Sequence, residues 1–124
     1  MVSLLASLAW LSSNPVYANT LCGMDFQSPQ QLEADIATKI GEPPDVRDPQ
    51  YQAYFDNQNN VAWAFTTQKN PAHPAVVCRM IVQKNADVVV DMQARCGNTQ
   101  EACDTMMEAW KKLSERMQKE LKKN

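Results

Sequence analysis

The sequence holds only three glycines and a single histidine, and none of its apolar runs is long enough to span a bilayer. A spanning helix needs about 20 consecutive apolar residues. The longest apolar-rich stretch, Val2 to Leu11, is shorter and is broken by Ser3 and Ser7. The glycines, Gly23, Gly41 and Gly97, stand far apart, so no loop can cradle a phosphate. No C-x2-C pair occurs. That argues against thioredoxin-like exchange, haem attachment and a structural zinc site, and no cofactor or metal is expected. Basic excess is missing too: 12 basic side chains face 14 acidic ones, for a net charge of -2. A dedicated nucleic-acid binder would carry a basic balance. With 124 residues there is room for one small domain and not for a two-domain enzyme. With 44% of residues apolar and 21% charged, the composition is not that of a disordered chain.

Charge is also absent from residues 1–18. There an apolar run is followed by Ser12-Ser13-Asn14-Pro15 and then Val16-Tyr17-Ala18, with compact residues where a signal peptidase reads. This pattern predicts a secretory signal peptide cleaved after Ala18. No Lys or Arg precedes the run, so a start further upstream, carrying basic residues, is expected. The expected location is therefore periplasmic or secreted, and residues 19–124 are expected to form one domain.

All four cysteines, Cys22, Cys78, Cys96 and Cys103, follow the leader. An even count in an exported chain predicts two disulfides. Three connectivities are possible. Cys96 and Cys103 are separated by six residues and a flexible Gly97, which favours Cys96–Cys103 and leaves Cys22–Cys78. The alternative joins Cys22 to Cys96 and Cys78 to Cys103.

Ser28-Pro29-Gln30-Gln31 carries the marks of a helix start, and Gly41 with Pro43-Pro44 those of its end. Tyr51 to Asp56 is a candidate strand, and Val61 to Thr67 alternates, with Val61, Trp63 and Phe65 on one face. Ala75 to Gln83 and Asp87 to Arg95 predict a hairpin around Lys84-Asn85-Ala86. A three-residue loop would set Arg79 opposite Asp91 as an ion pair. A long helix is expected from Thr99 to Leu121, capped by Asn98. Its stripe is Cys103, Met106, Trp110, Leu113, Met117 and Leu121. The expected fold class is α+β: a small antiparallel sheet of three to four strands. The N-terminal helix and the long C-terminal helix pack on one of its faces, and two disulfides staple it.

No catalytic set emerges. Ser28 and Ser114 lie outside any nucleophile elbow, and no carboxylate pair is placed by a motif. His73, in the loop Asn70-Pro71-Ala72-His73-Pro74, is read as an exposed residue. The sharper alternative is a recognition tip in which Pro71 and Pro74 stiffen the presentation of the imidazole. A small hydrolase using His73 is the lesser alternative. Tyr51 and Tyr54 suit a protein interface if exposed. From Glu108 onward bases outnumber acids six to three, whereas residues 19–60 hold two bases and seven acids. Lys112, Arg116 and Lys119 thus form a basic face for an acidic partner or an anionic surface. The bland alternative is a solvated face laced by Glu108–Lys112 and Glu115–Lys119 pairs. The expected function is a non-catalytic binding module, of the inhibitor or immunity type, acting by contact with another envelope or extracellular protein. Architecture alone supplies that analogy.

Overall fold

A computed structural model describes residues 19–123; the leader at 1–18, with its expected cleavage site, lies outside them. A short hairpin of β1 (Asn19–Leu21) and β2 (Met24–Phe26) opens the described chain. Helix α1 (Pro29–Ile40) follows, then β3 (Tyr51–Asp56), β4 (Val61–Thr66), β5 (Ala75–Lys84) and β6 (Asp87–Cys96). Helix α2 (Gln100–Lys123) ends it. Strands β3 to β6 form one antiparallel sheet in chain order. The class is α+β, and the disulfides are Cys22–Cys78 and Cys96–Cys103. Among the described residues no helix is long and apolar enough to cross a membrane.

Local chemistry sets the ends of α1. Ser28 Oγ accepts the Gln31 amide at 3.1 Å, and Gly41, at φ 72°, donates its N–H to the Ala37 carbonyl. The cap of α2 falls on Thr99 instead of Asn98: Thr99 Oγ1 accepts from the Ala102 N–H at 3.2 Å. Asn98 turns away and donates to the His73 carbonyl at 2.7 Å.

The two helices do not share a face of the sheet. Val61, Trp63, Phe65, Val76 and Cys78 point to one face, where they pack on Leu32 and Ile36 of α1 and on Leu21 and Phe26. Ala75 and Val77 point to the other face and meet Met106 of α2, with Met92, Ala94 and Trp110 beside them. The reason lies in Ala75-Val76-Val77-Cys78. All four are buried, so this strand is covered on both sides and its apolar residues do not alternate.

The β5–β6 hairpin differs from expectation by one residue. Lys84 pairs with Asp87, leaving a two-residue turn in which Asn85 takes φ 58°. Arg79 then stands opposite Met92, and Asp91 opposite Met80. Partners across a ladder share a face, so Arg79 and Asp91 point to opposite sides and form no pair. The Glu108–Lys112 and Glu115–Lys119 bridges do not close either. The two ion pairs among the described residues are Lys39–Asp56 at 3.1 Å and Arg47–Asp45.

The outer edge of β6 is covered by a side chain. The Gln118 amide oxygen accepts the Val90 N–H and its nitrogen donates to the Val88 carbonyl, both at 2.8 Å. This blunts an edge that would otherwise offer backbone groups to another strand. On β3, the opposite edge, Asp45 does the same at Ala53 through two backbone hydrogen bonds.

Candidate binding groove

Helix α2 packs mainly along β6, and on the β3–β4 half of its face of the sheet Tyr51, Ala53 and Ala62 stay half-buried. Trp110 reaches across to β3. Its indole Nε1 donates to the Tyr51 hydroxyl at 3.1 Å, and the two rings meet edge to face with centroids 5.4 Å apart. On either side of this aromatic bridge the surface is concave. One depression, of about 410 Å³, has Ala53 and Ala64 in its lining. Ala109, Leu113 and Arg116 of α2 form one wall, and Asp45, Arg47 and Asp48 the other. The second, of about 640 Å³, runs toward the start of α2 past Asn70, Pro71, Thr105 and Met106. Tyr51 and Ala109 line both, so the two form one groove. Sites of roughly 300–1,000 Å³ hold small ligands or side chains of a partner.

The groove has that shape because three elements place alanine where a larger side chain would close it. Ala53 pairs with Ala64 across β3 and β4, and both line the depression with Ala109 of α2. Two large apolar side chains near it in the chain are exposed: Val46, between Asp45 and Arg47, and Phe55, which lines a separate depression with Lys39, Ile40 and Glu42 of the α1 end.

Its electrostatics are asymmetric. Arg47 and Asp45 are joined by several short hydrogen bonds, and the guanidinium holds the Asp45 carboxyl down at about 2. Asp48 is engaged by the Gln50 amide. On the α2 side the cations stand without partners: among the described residues no carboxylate pairs with Arg116, Lys112 or Lys119. Arg79 lies half-buried, its guanidinium 5.0 Å from the Trp110 ring centroid and against the Met117 sulfur. Burial lowers its pKa, since desolvation disfavours the charged form.

Of the residues singled out in the sequence, the groove unites Tyr51, Pro71 and Arg116, with Lys112 and Lys119 exposed one turn to either side of Arg116 on α2. His73, Pro74 and Tyr54 lie elsewhere. His73 is half-buried and is not a projecting tip. Its Nδ1 is 2.7 Å from Thr66 Oγ1, which also bonds both backbone groups of Ala75. The cleft beside it holds about 20 Å³, room for roughly one water. Tyr54 is buried, and its hydroxyl donates to Glu33 at 3.4 Å. Burial raises the Glu33 carboxyl above its ordinary range, while the Tyr54 hydrogen bond and the nearby His73 charge act in the opposite direction.

Arg47, Trp110 and the three alanines line the groove and were not singled out in the sequence as site residues. No local pattern in the sequence brings these residues together. All four cysteines are closed in disulfides, and among the described residues no three His, Cys, Asp or Glu side chains converge to hold a metal. No protein-family model, curated protein or solved structure matches the chain.

Proposed function

We propose that this chain is an exported, non-catalytic binding protein that acts by contact with another envelope or extracellular protein, in the manner of an inhibitor or immunity protein. Two closed disulfides suit an oxidising compartment, periplasmic or extracellular. The observation that carries the reading is the half-covered sheet face. A groove floored by alanines, bridged by Trp110 and Tyr51 and edged by Asp45, Arg47 and Arg116 has the apolar, aromatic centre and charged rim of a protein interface. The scaffold beneath it is rigid, so binding there orders little of the protein itself.

The test fills the groove. A photo-crosslinking residue at Leu113 is expected to yield one adduct of defined mass in cells that express the protein. Ala109→Trp should weaken that capture about tenfold or more, equivalent to at least ~1.4 kcal/mol. Gln83→Arg, on the exposed hairpin tip, should leave it unchanged. Equal capture by the Ala109→Trp variant, with its melting curve unaltered, would contradict the reading.

A further inference from the structure

Independently of the groove, we infer that the outer edge of β6 is a strand-docking surface that Gln118 holds shut. Its occupant, once the edge opens, is the same edge of a second copy of this chain.

Gln118 takes the place of a neighbouring strand. Its amide oxygen accepts the Val90 N–H and its nitrogen donates to the Val88 carbonyl, both at 2.8 Å. Those backbone groups therefore point away from β5, and Val88 and Val90 face Gln83 and Ile81 as non-hydrogen-bonded pairs of the ladder. By the same alternation Met92 turns its N–H and C=O outward. Val88, Val90 and Met92 thus make one run of outward ladder groups, with a side-chain amide seated at its tip end.

The seat is shallow. Helix α2 is pinned at its start by Cys96–Cys103, and Met106 is its one buried residue among those described. From Met107 to Lys122 its side chains are half-buried or exposed. Segments held by few buried contacts open at the low end of a protein's stability range. Lifting the last turns of α2 strips Gln118 from the edge while the disulfide keeps the start of the helix in place.

The edge itself names what fits. It offers alternating donors and acceptors, and an identical edge running antiparallel answers them in kind. A two-fold centred on Val90 sets Val90 against its own copy and Val88 against Met92. Every outward group of the three residues then has a partner, including the two that Gln118 held. A two-fold centred on Asp91 is disfavoured, because it sets two carboxylates directly opposite; the Val90-centred register puts Asp91 opposite Val89. Val88, Val89 and Val90 are β-branched and suit a pleated ladder. Val88 is 40% exposed, so pairing removes apolar surface from water.

The test is Gln118→Met, which keeps the length and helical preference of the side chain and removes its amide. Sedimentation of the oxidised parent and variant, both lacking the leader, is followed from about 10 µM to about 1 mM. The variant should dimerise at least tenfold more tightly than the parent. At low concentration its Val90 amide should exchange with solvent faster than the parent's. At high concentration the Val90 and Met92 amides should both slow, the second being one that Gln118 does not hold. Adding Val90→Pro should return the variant to a monomer. That proline removes no bond to β5, because the Val90 N–H points outward. Gln118→Glu keeps an acceptor for Val90 and loses the donor to Val88; it should fall between parent and Gln118→Met, and it carries the test if Gln118→Met does not fold. A variant that stays monomeric throughout, a Val90 amide protected as in the parent, or a dimer that survives Val90→Pro overturns the inference. So do Val90 and Met92 amides slowed by an added acetyl-Thr-Val-Thr-Val-Thr-amide peptide and not by the variant's own concentration, since the occupant is then a foreign strand.

Discussion

Replacing Cys22 and Cys78 together by alanine is expected to lower the melting temperature by roughly 20 °C. The pair closes a loop of 56 residues of sequence separation, whereas Cys96–Cys103 closes one of 7. Loop-closure entropy then gives about 4 kcal/mol for the first bridge and about 2.5 kcal/mol for the second. At roughly 4–8 °C per kcal/mol for a domain of this size, the long bridge dominates. Packing strengthens the ordering. Cys22 and Cys78 are buried in the α1-side core, while Cys96 and Cys103 are half-buried at the start of α2. Calorimetry on the oxidised parent and the two double variants checks this. A larger loss from the short bridge would show that native-state strain, and not chain entropy, decides the balance.

Trp63→Ala is the second large effect, expected to cost about 3–5 kcal/mol. Trp63 is only 2% exposed and stacks on Phe65 at 6.1 Å, between α1 and the sheet. Its indole Nε1, however, has no hydrogen-bond partner among the described residues. A buried donor left unpaired costs about 1–3 kcal/mol. Trp63→Phe removes that donor along with part of the ring, so the two terms oppose each other. The net loss should stay under about 1.5 kcal/mol, far below that of alanine. Urea unfolding of both variants measures it. A loss from Trp63→Phe near that of Trp63→Ala would mean the indole nitrogen is satisfied in solution.

These effects rest on parts of the fold that were legible in the chain. Ser28, Pro29 and Gly41 marked α1 because caps are local chemistry. Val61, Trp63 and Phe65 marked a core face because strand alternation is local too. The cysteine pairing followed from the short Cys96–Cys103 span. Tertiary features were harder. Ala75-Val76-Val77-Cys78 is buried on both sides, and such a run does not say which helix takes which face. The hairpin register turned on whether Lys84 belongs to the turn or the strand, and Asn85 in the left-handed region shortens the turn to two residues. Strands β1 and β2 hold three residues each, too few for a periodic signal. The groove was the least legible. It exists because Ala53, Ala64 and Ala109 are small, and no local pattern places alanines from three separate elements together. His73 was misjudged for the same reason: its partner, Thr66, lies on the preceding strand.

The coverage of the sheet is what the functional account depends on most. Helix α2 packs on β5 and β6, and the β3–β4 half with its aromatic bridge carries the groove. The most direct measurement is amide hydrogen exchange on the oxidised protein, free and bound to the partner captured at Leu113. Slowing confined to residues 45–56, 70–72 and 99–117 is the predicted footprint. Slowing centred on the hairpin tip at 81–90, or on His73 and the start of α1 at 29–33, would contradict it and put the interface on another face.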